Sequence, residues 1–386
     1  MKSAKLNDTP QGYRSFATSC GIKDSTLDLG VIVSDVPAQA AAIFTKNKIC
    51  GEPLKIGKKH IENGTLQCLV VNSKNSNVAT GPSGYQNSLN ICKKISDELN
   101  IDIEKVFPSS TGVIGKPLPF EKIVYALDNL QGKLCSPADF TLFAEAIMTT
   151  DTFPKYVSAK IGNTVLLGVA KGSGMIEPNM ATMLAYFFTD AKIGHDDLQS
   201  ILKRVADKTF NSLSVDSDTS TSDTCCIMAN GVAGSVDLSE FEKIFQSLAL
   251  RLTRMIARDG EGATKLFIVN VINAESNEDA KKIGKSIINS PLVKTMIYQG
   301  DPNWGRIYMA IGKTADVKII PDKINIYWAA DRSIGQYSDL KLLSNYLINN
   351  EEQILTVDMG IGDGSSTVYG CDLTEEYVKI NAYYTT

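Results

Sequence analysis

Histidine is nearly absent: the 386-residue chain has only His60 and His195. A Ser-His-Asp or Cys-His mechanism would have to run through one of these two. Both read as solvated turn residues, His60 after Gly57-Lys58-Lys59 and His195 at the head of a helix in Gly194-His195-Asp196-Asp197. The base of any enzymatic reaction is therefore expected to be something else. Cysteine is scattered, with 8 residues, no CxxC and one adjacent pair, Cys225-Cys226. That pattern predicts reduced thiols rather than a disulfide framework. No metal constellation is visible, and Asp358 with Asp363-Gly364 lacks EF-hand spacing and a terminal glutamate.

Long apolar runs are missing too. The longest charge-free stretch, residues 75–92, is filled with Asn, Ser and Gly, whereas a membrane span needs about 20 apolar residues. The opening Met1-Lys2-Ser3-Ala4-Lys5-Leu6-Asn7-Asp8 has no apolar core of a secretory signal, so a cytoplasmic location is expected. Nor is there an excess of charge: 39 basic against 43 acidic residues give a net charge of -4 without blocks of one sign. A nucleic-acid or membrane partner, which calls for a concentrated basic face, is not expected.

What is present is a globular composition, 43% hydrophobic with 29 glycines, at a length that suggests two or three domains. Runs rich in Val, Ile and Leu predict buried strands at Leu29–Val33, Leu66–Val71, Val165–Ala170, Met183–Phe188, Leu266–Ile272 and Ile354–Val357. Helical stripes lie between them. Phe140, Phe143, Ala144 and Ile147 share a face behind a cap at Ser136 with Pro137 in the first turn. A capping box Ser239-x-x-Glu242 opens a longer stripe from Phe241 to Ile256, which Gly260 stops. Alternating strands and amphipathic helices indicate a layered α/β or α+β class.

Familiar chemical motifs fail on inspection. Gly172-Ser173-Gly174 lacks the third glycine of a dinucleotide turn, and Gly260-Glu261-Gly262-Ala263-Thr264-Lys265 lacks Walker spacing. Asp216-Ser217-Asp218-Thr219 resembles an aspartyl-phosphate site only superficially. An acidic loop tying down backbone is its plainer reading.

The unusual segment runs from Ala170 to Leu184, where a Gly-rich loop and Pro178 lead to Ala181-Thr182 at the head of an apolar strand. A threonine there is ordinary by β-propensity. Chemistry supplies another reading. If the Ala181–Thr182 bond were cut, Thr182 would carry a hydroxyl and a free α-amine. That amine, with a reference pKa of about 7.7–8.0, can act as base for its own hydroxyl. No histidine is needed. The loop Ser109-Ser110-Thr111-Gly112-Val113-Ile114-Gly115 has the hydroxyl and backbone N–H of an oxyanion hole, although a tight turn would have the same residues.

These residues resemble the ornithine acetyltransferases, the self-cleaving glutamate N-acetyltransferases of arginine biosynthesis. The likeness spans nearly the whole chain: Gln11-Gly12-Tyr13-Arg14, Val33-Ser34-Asp35-Val36-Pro37, Ser110 to Gly115, Thr149-Thr150-Asp151-Thr152, Lys171 to Ile176 and Asn179 to Leu184. It continues through Asp218 to Thr224, Asp259 to Lys265, Gly300 to Arg306 and Asn381 to Thr386. Lys74 and Ala79 depart from it, where Gly and Cys are expected.

The resemblance implies Thr182 as nucleophile, cleavage between Ala181 and Thr182, and Thr111 with Gly112 as oxyanion hole. It also implies substrate contacts from Thr149, Lys171, Thr182, Glu261, Asn381 and Thr386. The implied reaction moves an acetyl group from N2-acetyl-L-ornithine to L-glutamate, without metal or cofactor. Acetyl-CoA as a second donor, or a related aminopeptidase or amidohydrolase activity, is the alternative. The implied fold is an αββα-type sandwich resembling N-terminal-nucleophile hydrolases, with a smaller C-terminal α/β domain. Residues 1–181 would form one fragment of the sandwich, 182–275 would complete it, and 276–386 would form the smaller domain. An α2β2 assembly of the two fragments is expected.

Overall fold

The computed structural model describes Leu6 and residues 8–177, 183–336 and 338–383. The first sheet is built from β1 (Tyr13–Thr18), β2 (Leu29–Phe44), β3 (Thr65–Asn72), β4 (Val106–Ser110), β5 (Lys155–Ile161), β6 (Thr164–Lys171), β7 (Leu184–Lys192) and β8 (Thr224–Ser235). Its order is β4-β3-β2-β8-β7-β6-β5, with β1 antiparallel to β2. Five helices accompany its first half: α1 (Glu52–His60), α2 (Gly81–Leu99), α3 (Phe120–Ala126), α4 (Leu130–Lys133) and α5 (Phe140–Ala146). Two more follow, α6 (His195–Lys208) and α7 (Leu238–Arg258).

Strand periodicity explains the layers. Successive side chains on a strand point to opposite faces, and the apolar residues alternate accordingly. On β7, Leu184, Tyr186 and Phe188 face an inner core, while Ala185 and Phe187 face α6 and α7. On β3, Leu66, Leu69 and Val71 face the same inner core, and Cys68 and Val70 face Ile91, Cys92 and Ile95 of α2. Helices thus cover both outer faces of a sheet folded onto itself, the αββα arrangement. The 16-residue β2 joins the two halves: Val31 and Val33 look toward α2, Ala41 and Ile43 toward α6, with an irregular register between Val33 and Ala38. Of the helices named so far, α5 is the exception, because its Phe140 and Phe143 sit in the inner core beside Tyr186 and Phe188.

A second sheet contains β9 (Leu266–Ala274), β10 (Asn325–Trp328), β11 (Ile334–Gly335), β12 (Glu352–Asp358) and β13 (Gly364–Cys371), in the order β11-β10-β12-β9-β13. It packs one face on α8 (Asn277–Ile288), α9 (Pro291–Gln299), α10 (Trp304–Gly312) and α11 (Leu340–Asn349). Its other face puts Leu266, Ile268, Tyr369 and Cys371 into the core around α7. A last helix, α12 (Glu375–Tyr383), follows with no buried residue.

All six expected strands are present, although Met183 lies just ahead of β7. The sheets divide differently from the expected boundary at 275/276. β9 belongs to the second sheet, because it pairs in parallel with β12 and antiparallel with β13. Two expected caps are also corrected. Asp139, not Ser136, caps α5 by accepting from Thr141 and Leu142 N–H, and Asp237, two residues before Ser239, caps α7 through Glu240 N–H. Aspartate is as good an N-cap as serine, so composition alone did not choose between neighbours. His60 is buried, with Nδ1 2.7 Å from the Val106 carbonyl oxygen, so it is a core residue instead of a solvated turn. Among the described residues no helix is long and apolar enough to cross a membrane, and no group of three or more His, Cys, Asp or Glu is placed to hold a metal ion.

Candidate active site

The neighbouring ends of β4 and β6 bring two of the expected regions together. Lys171 is the last residue of β6, and its Nζ is 3.3 Å from Thr111 Oγ1, just past the end of β4. Both side chains are buried. The Thr111 N–H is spent on the Asn72 carbonyl at 3.0 Å. Its hydroxyl accepts from Lys171, so the hydroxyl proton can be directed at another oxygen, as an oxyanion hole requires.

Gly112 makes this turn possible. Its φ of +125° is glycine territory, and a Cβ there would lie 2.3 Å from the Lys74 carbonyl carbon. Lys74 itself has φ of +69°, which accounts for glycine being expected at that position. The strain is offset by its side chain, whose Nζ donates to Asp24 Oδ1 at 2.6 Å and to the Thr26 carbonyl at 3.1 Å.

Behind Lys171 lies a buried charge network that sequence reasoning missed. Asp151 Oδ1 accepts from Gly172 N–H and from Lys155 Nζ, each at 2.7 Å, while Oδ2 accepts from Thr149 N–H at 3.1 Å. One carboxylate thus ties the Thr149 loop to the Gly-rich loop. Lys155 completes the pair with Asp259 Oδ2 at 2.6 Å. Burial pushes the Asp151 carboxyl up, but Lys155, Lys171 and the Gly172 N–H outweigh it and bring it down to about 2. Burial lowers the Lys171 ammonium, with Asp151 opposing and Lys155 adding to the fall. The sequence held a signal, since Asp151 and Asp259 both fall in the motifs quoted above. Nothing in spacing paired them with Lys155.

A small cavity opens here, lined by Thr111, Lys171, Gly172, Gly174, Met175, Met183, Leu184, Ser220, Ser222 and Asp223. Ser222 Oγ and Asp223 Oδ2 are buried without a hydrogen-bond partner among the described residues. Burial holds the Asp223 carboxyl well above its ordinary range, with Ser220, Lys171 and Thr45 pulling back.

Glu261 reaches the same Gly-rich loop from the end of α7. Its N–H donates to the Ser173 carbonyl at 3.0 Å, and its carboxylate lies so close to Gly174 that a Cβ there would be 2.3 Å from Cδ. Asn381 Nδ2 on α12 donates to Glu261 Oε2 at 2.8 Å. Gly262 seats that helix, because its added Cβ would be 2.6 Å from Tyr377 N. Asp216 is committed to structure: its carboxylate accepts from Met175 and Ile176 N–H at 2.6 and 2.7 Å. Thr111, Lys171 and Glu261 therefore meet at one Gly-rich loop; Gly112 follows Thr111, and Thr149 and Asn381 connect to the loop through Asp151 and Glu261. Ala181, Thr182 and Thr386 lie outside the described residues.

Comparison with known proteins follows the same line. The chain is 49% identical over 380 residues to Arginine biosynthesis bifunctional protein ArgJ 2 of Clostridium acetobutylicum, covering 97% of this chain and 98% of the relative. It is 40% identical to Glutamate N-acetyltransferase Oat2 of Streptomyces clavuligerus, over 98% of each. A crystal structure of the Bacillus halodurans bifunctional protein argJ matches with 38% identity and a TM-score of 0.48, over 50% of this chain and 96% of that one. The ArgJ family model matches residues 14–386, and the chain belongs to the ArgJ family.

Proposed function

We propose that the protein is a glutamate N-acetyltransferase of arginine biosynthesis. It transfers the acetyl group of N2-acetyl-L-ornithine to L-glutamate through an ester on Thr182. The observation that carries this reading is the buried contact of Lys171 with Thr111 beside the left-handed Gly112, in a chain 40% identical to a glutamate N-acetyltransferase over almost its whole length.

The α-amine of Thr182 takes the proton of its own hydroxyl as Oγ attacks the acetyl carbonyl carbon. Thr111 hydroxyl and Gly112 N–H hold the oxyanion, where one donor typically contributes about 10²–10³ in rate. The C–N bond breaks, the amine of ornithine leaves with the proton, and the amine of glutamate takes the acetyl group from the ester. Thr149, Lys171, Glu261, Asn381 and Thr386 contact substrate: Lys171 offers positive charge to a carboxylate and Glu261 negative charge to an ammonium. No metal or cofactor enters.

The free amine arises by self-cleavage. Thr182 Oγ attacks the Ala181 carbonyl carbon, the peptide C–N bond breaks as nitrogen takes the hydroxyl proton, and water hydrolyses the resulting ester. The products are fragments 1–181 and 182–386, which stay together as a cytoplasmic α2β2 assembly. The sandwich is shared between them, and the smaller C-terminal unit belongs to the second. A second donor, acetyl-CoA, is favoured by the word bifunctional in the name of the 49%-identical relative. An assay with acetyl-CoA and glutamate alone decides it.

The test is intact mass together with transfer kinetics. Wild type should give two fragments, the second starting at Thr182, and ping-pong kinetics. Thr182→Ala should give one chain of 41.9 kDa without transferase activity. A cleaved, active Thr182→Ala protein would sink the mechanism. Acetate release in the absence of glutamate, at the rate of transfer, would favour an amidohydrolase.

A further inference from the structure

The segment entering the cleavage site is gripped by the C-terminal unit. Glu177 lies five positions before Thr182, and it is held by polar side chains from outside its own sheet. Its Oε2 accepts from Asn289 Nδ2 at 2.7 Å and from the Ser214 hydroxyl. Lys285 Nζ lies 3.5 Å from Oε1 and donates to the Leu213 carbonyl. Asn289 Oδ1 lies 2.6 Å from Ser214 Oγ, whose single proton is shared between it and Glu177. Lys285 is on α8 and Asn289 is its C-cap, so the contacts cross between the two sheets' layers.

The backbone is fastened at the same place. Val215 N–H donates to the Ile176 carbonyl at 2.7 Å, and Glu177 N–H to the Asp218 carbonyl at 3.0 Å. On the far side of the cut, the Met183 carbonyl accepts from Thr224 N–H at 3.0 Å. Among the described residues, the polar side-chain contacts from α8 and its cap fall on the entering side. Burial brings the Lys285 ammonium down to about 8 although Glu177 opposes the fall. A cation this enclosed is costly to keep without its partners, which makes the grip specific to the docked arrangement.

We propose that Lys285, Asn289 and Ser214 clamp Glu177 as a positioning device for self-cleavage, so that the Ala181–Thr182 bond is cut only once the C-terminal unit has docked on the sandwich. This rests on the self-cleavage reading above. The clamp touches no reacting atom. It acts by fixing one end of the segment whose hydroxyl must meet its own carbonyl, where a displacement near 1 Å can cost about 100-fold in rate.

The experiment follows the appearance of the two fragments over time in the full-length chain, together with turnover per cleaved chain and melting temperature. Glu177→Ala removes both carboxylate oxygens and should slow cleavage about 10- to 100-fold. Glu177→Gln keeps an amide oxygen for Asn289 and Ser214 and should recover most of the rate. In both variants, turnover per cleaved chain should stay within about twofold of wild type. Asn289→Ala should resemble Glu177→Ala. Cleavage at the wild-type rate in Glu177→Ala overturns the clamp and leaves the mechanism standing. Equal losses of cleavage rate, turnover and melting temperature in Ala and Gln variants also overturn it, in favour of a structural role. An uncut wild type overturns the self-cleavage reading and the clamp with it.

Discussion

Gly112 is the most demanding residue of the site, for two reasons that act together. Its φ of +125° disfavours any side chain, and an added Cβ would overlap the Lys74 backbone, which cannot swing aside as a flexible side chain could. Gly112→Ala should therefore displace the Thr111–Gly112 turn and lower kcat/KM by about 100-fold or more, the scale of losing an oxyanion donor. Circular dichroism should show the fold retained, and a fully active Gly112→Ala would remove this turn from the mechanism. Residue types and order made the turn legible as a candidate, because Ser109 to Gly115 offers a hydroxyl beside a glycine. What was not legible is the contact that orients it. Lys171 is 60 positions away from Thr111, and no local pattern relates them.

At the scale of elements, the Asp151–Lys155–Asp259 network joins the loop before β5, the start of β5 and the end of α7. Lys155 is fully buried between two carboxylates. Lys155→Met would fit the space but take from both buried acids the cation they share, at a cost of about 3–5 kcal/mol, measurable by urea unfolding. Asp151 also predicts a pH effect. Its folded carboxyl titrates near 2, below the roughly 3.9 of an unfolded chain. A depressed carboxylate contributes stability that is present above the unfolded value and lost as pH falls toward the folded one. The wild-type melting temperature should therefore fall more steeply between about pH 4 and pH 2 than that of Asp151→Asn. Equal slopes would show that Asp151 carries no such linkage. The elements themselves were readable where burial leaves an apolar run, as in β3 and β7, or a helical period, as in α7. Cap residues were misplaced because Asp139 and Asp237 sit within three residues of equally suitable serines.

Across the whole molecule, the two sheets are held together by more than the apolar face around α7. Arg254 meets Glu352 at 2.6 Å, and buried Lys294 on α9 donates to the Val215 and Cys371 carbonyls at 2.8 and 2.7 Å. Lys294→Met would leave two carbonyl oxygens short of a donor, each worth about 1–3 kcal/mol when buried. Its urea midpoint should drop accordingly. An unchanged midpoint would mean that water reaches these carbonyls. Sequence by itself supplied the grounds for the proposed chemistry, since scarce histidine and a Gly-Pro loop ahead of Ala181-Thr182 make a nucleophile that needs no separate base the one to test. It also marked six of the strands, in β2, β3, β6, β7, β9 and β12, because a strand buried on both faces leaves an apolar run in the order of residues. Only the tertiary structure decided which charges are paired, that β9 belongs to the second sheet, and that α8 reaches Glu177. Apart from Asp151 and Lys155, four positions apart, those facts depend on contacts between residues tens to hundreds of positions apart, and such contacts leave no period in the chain.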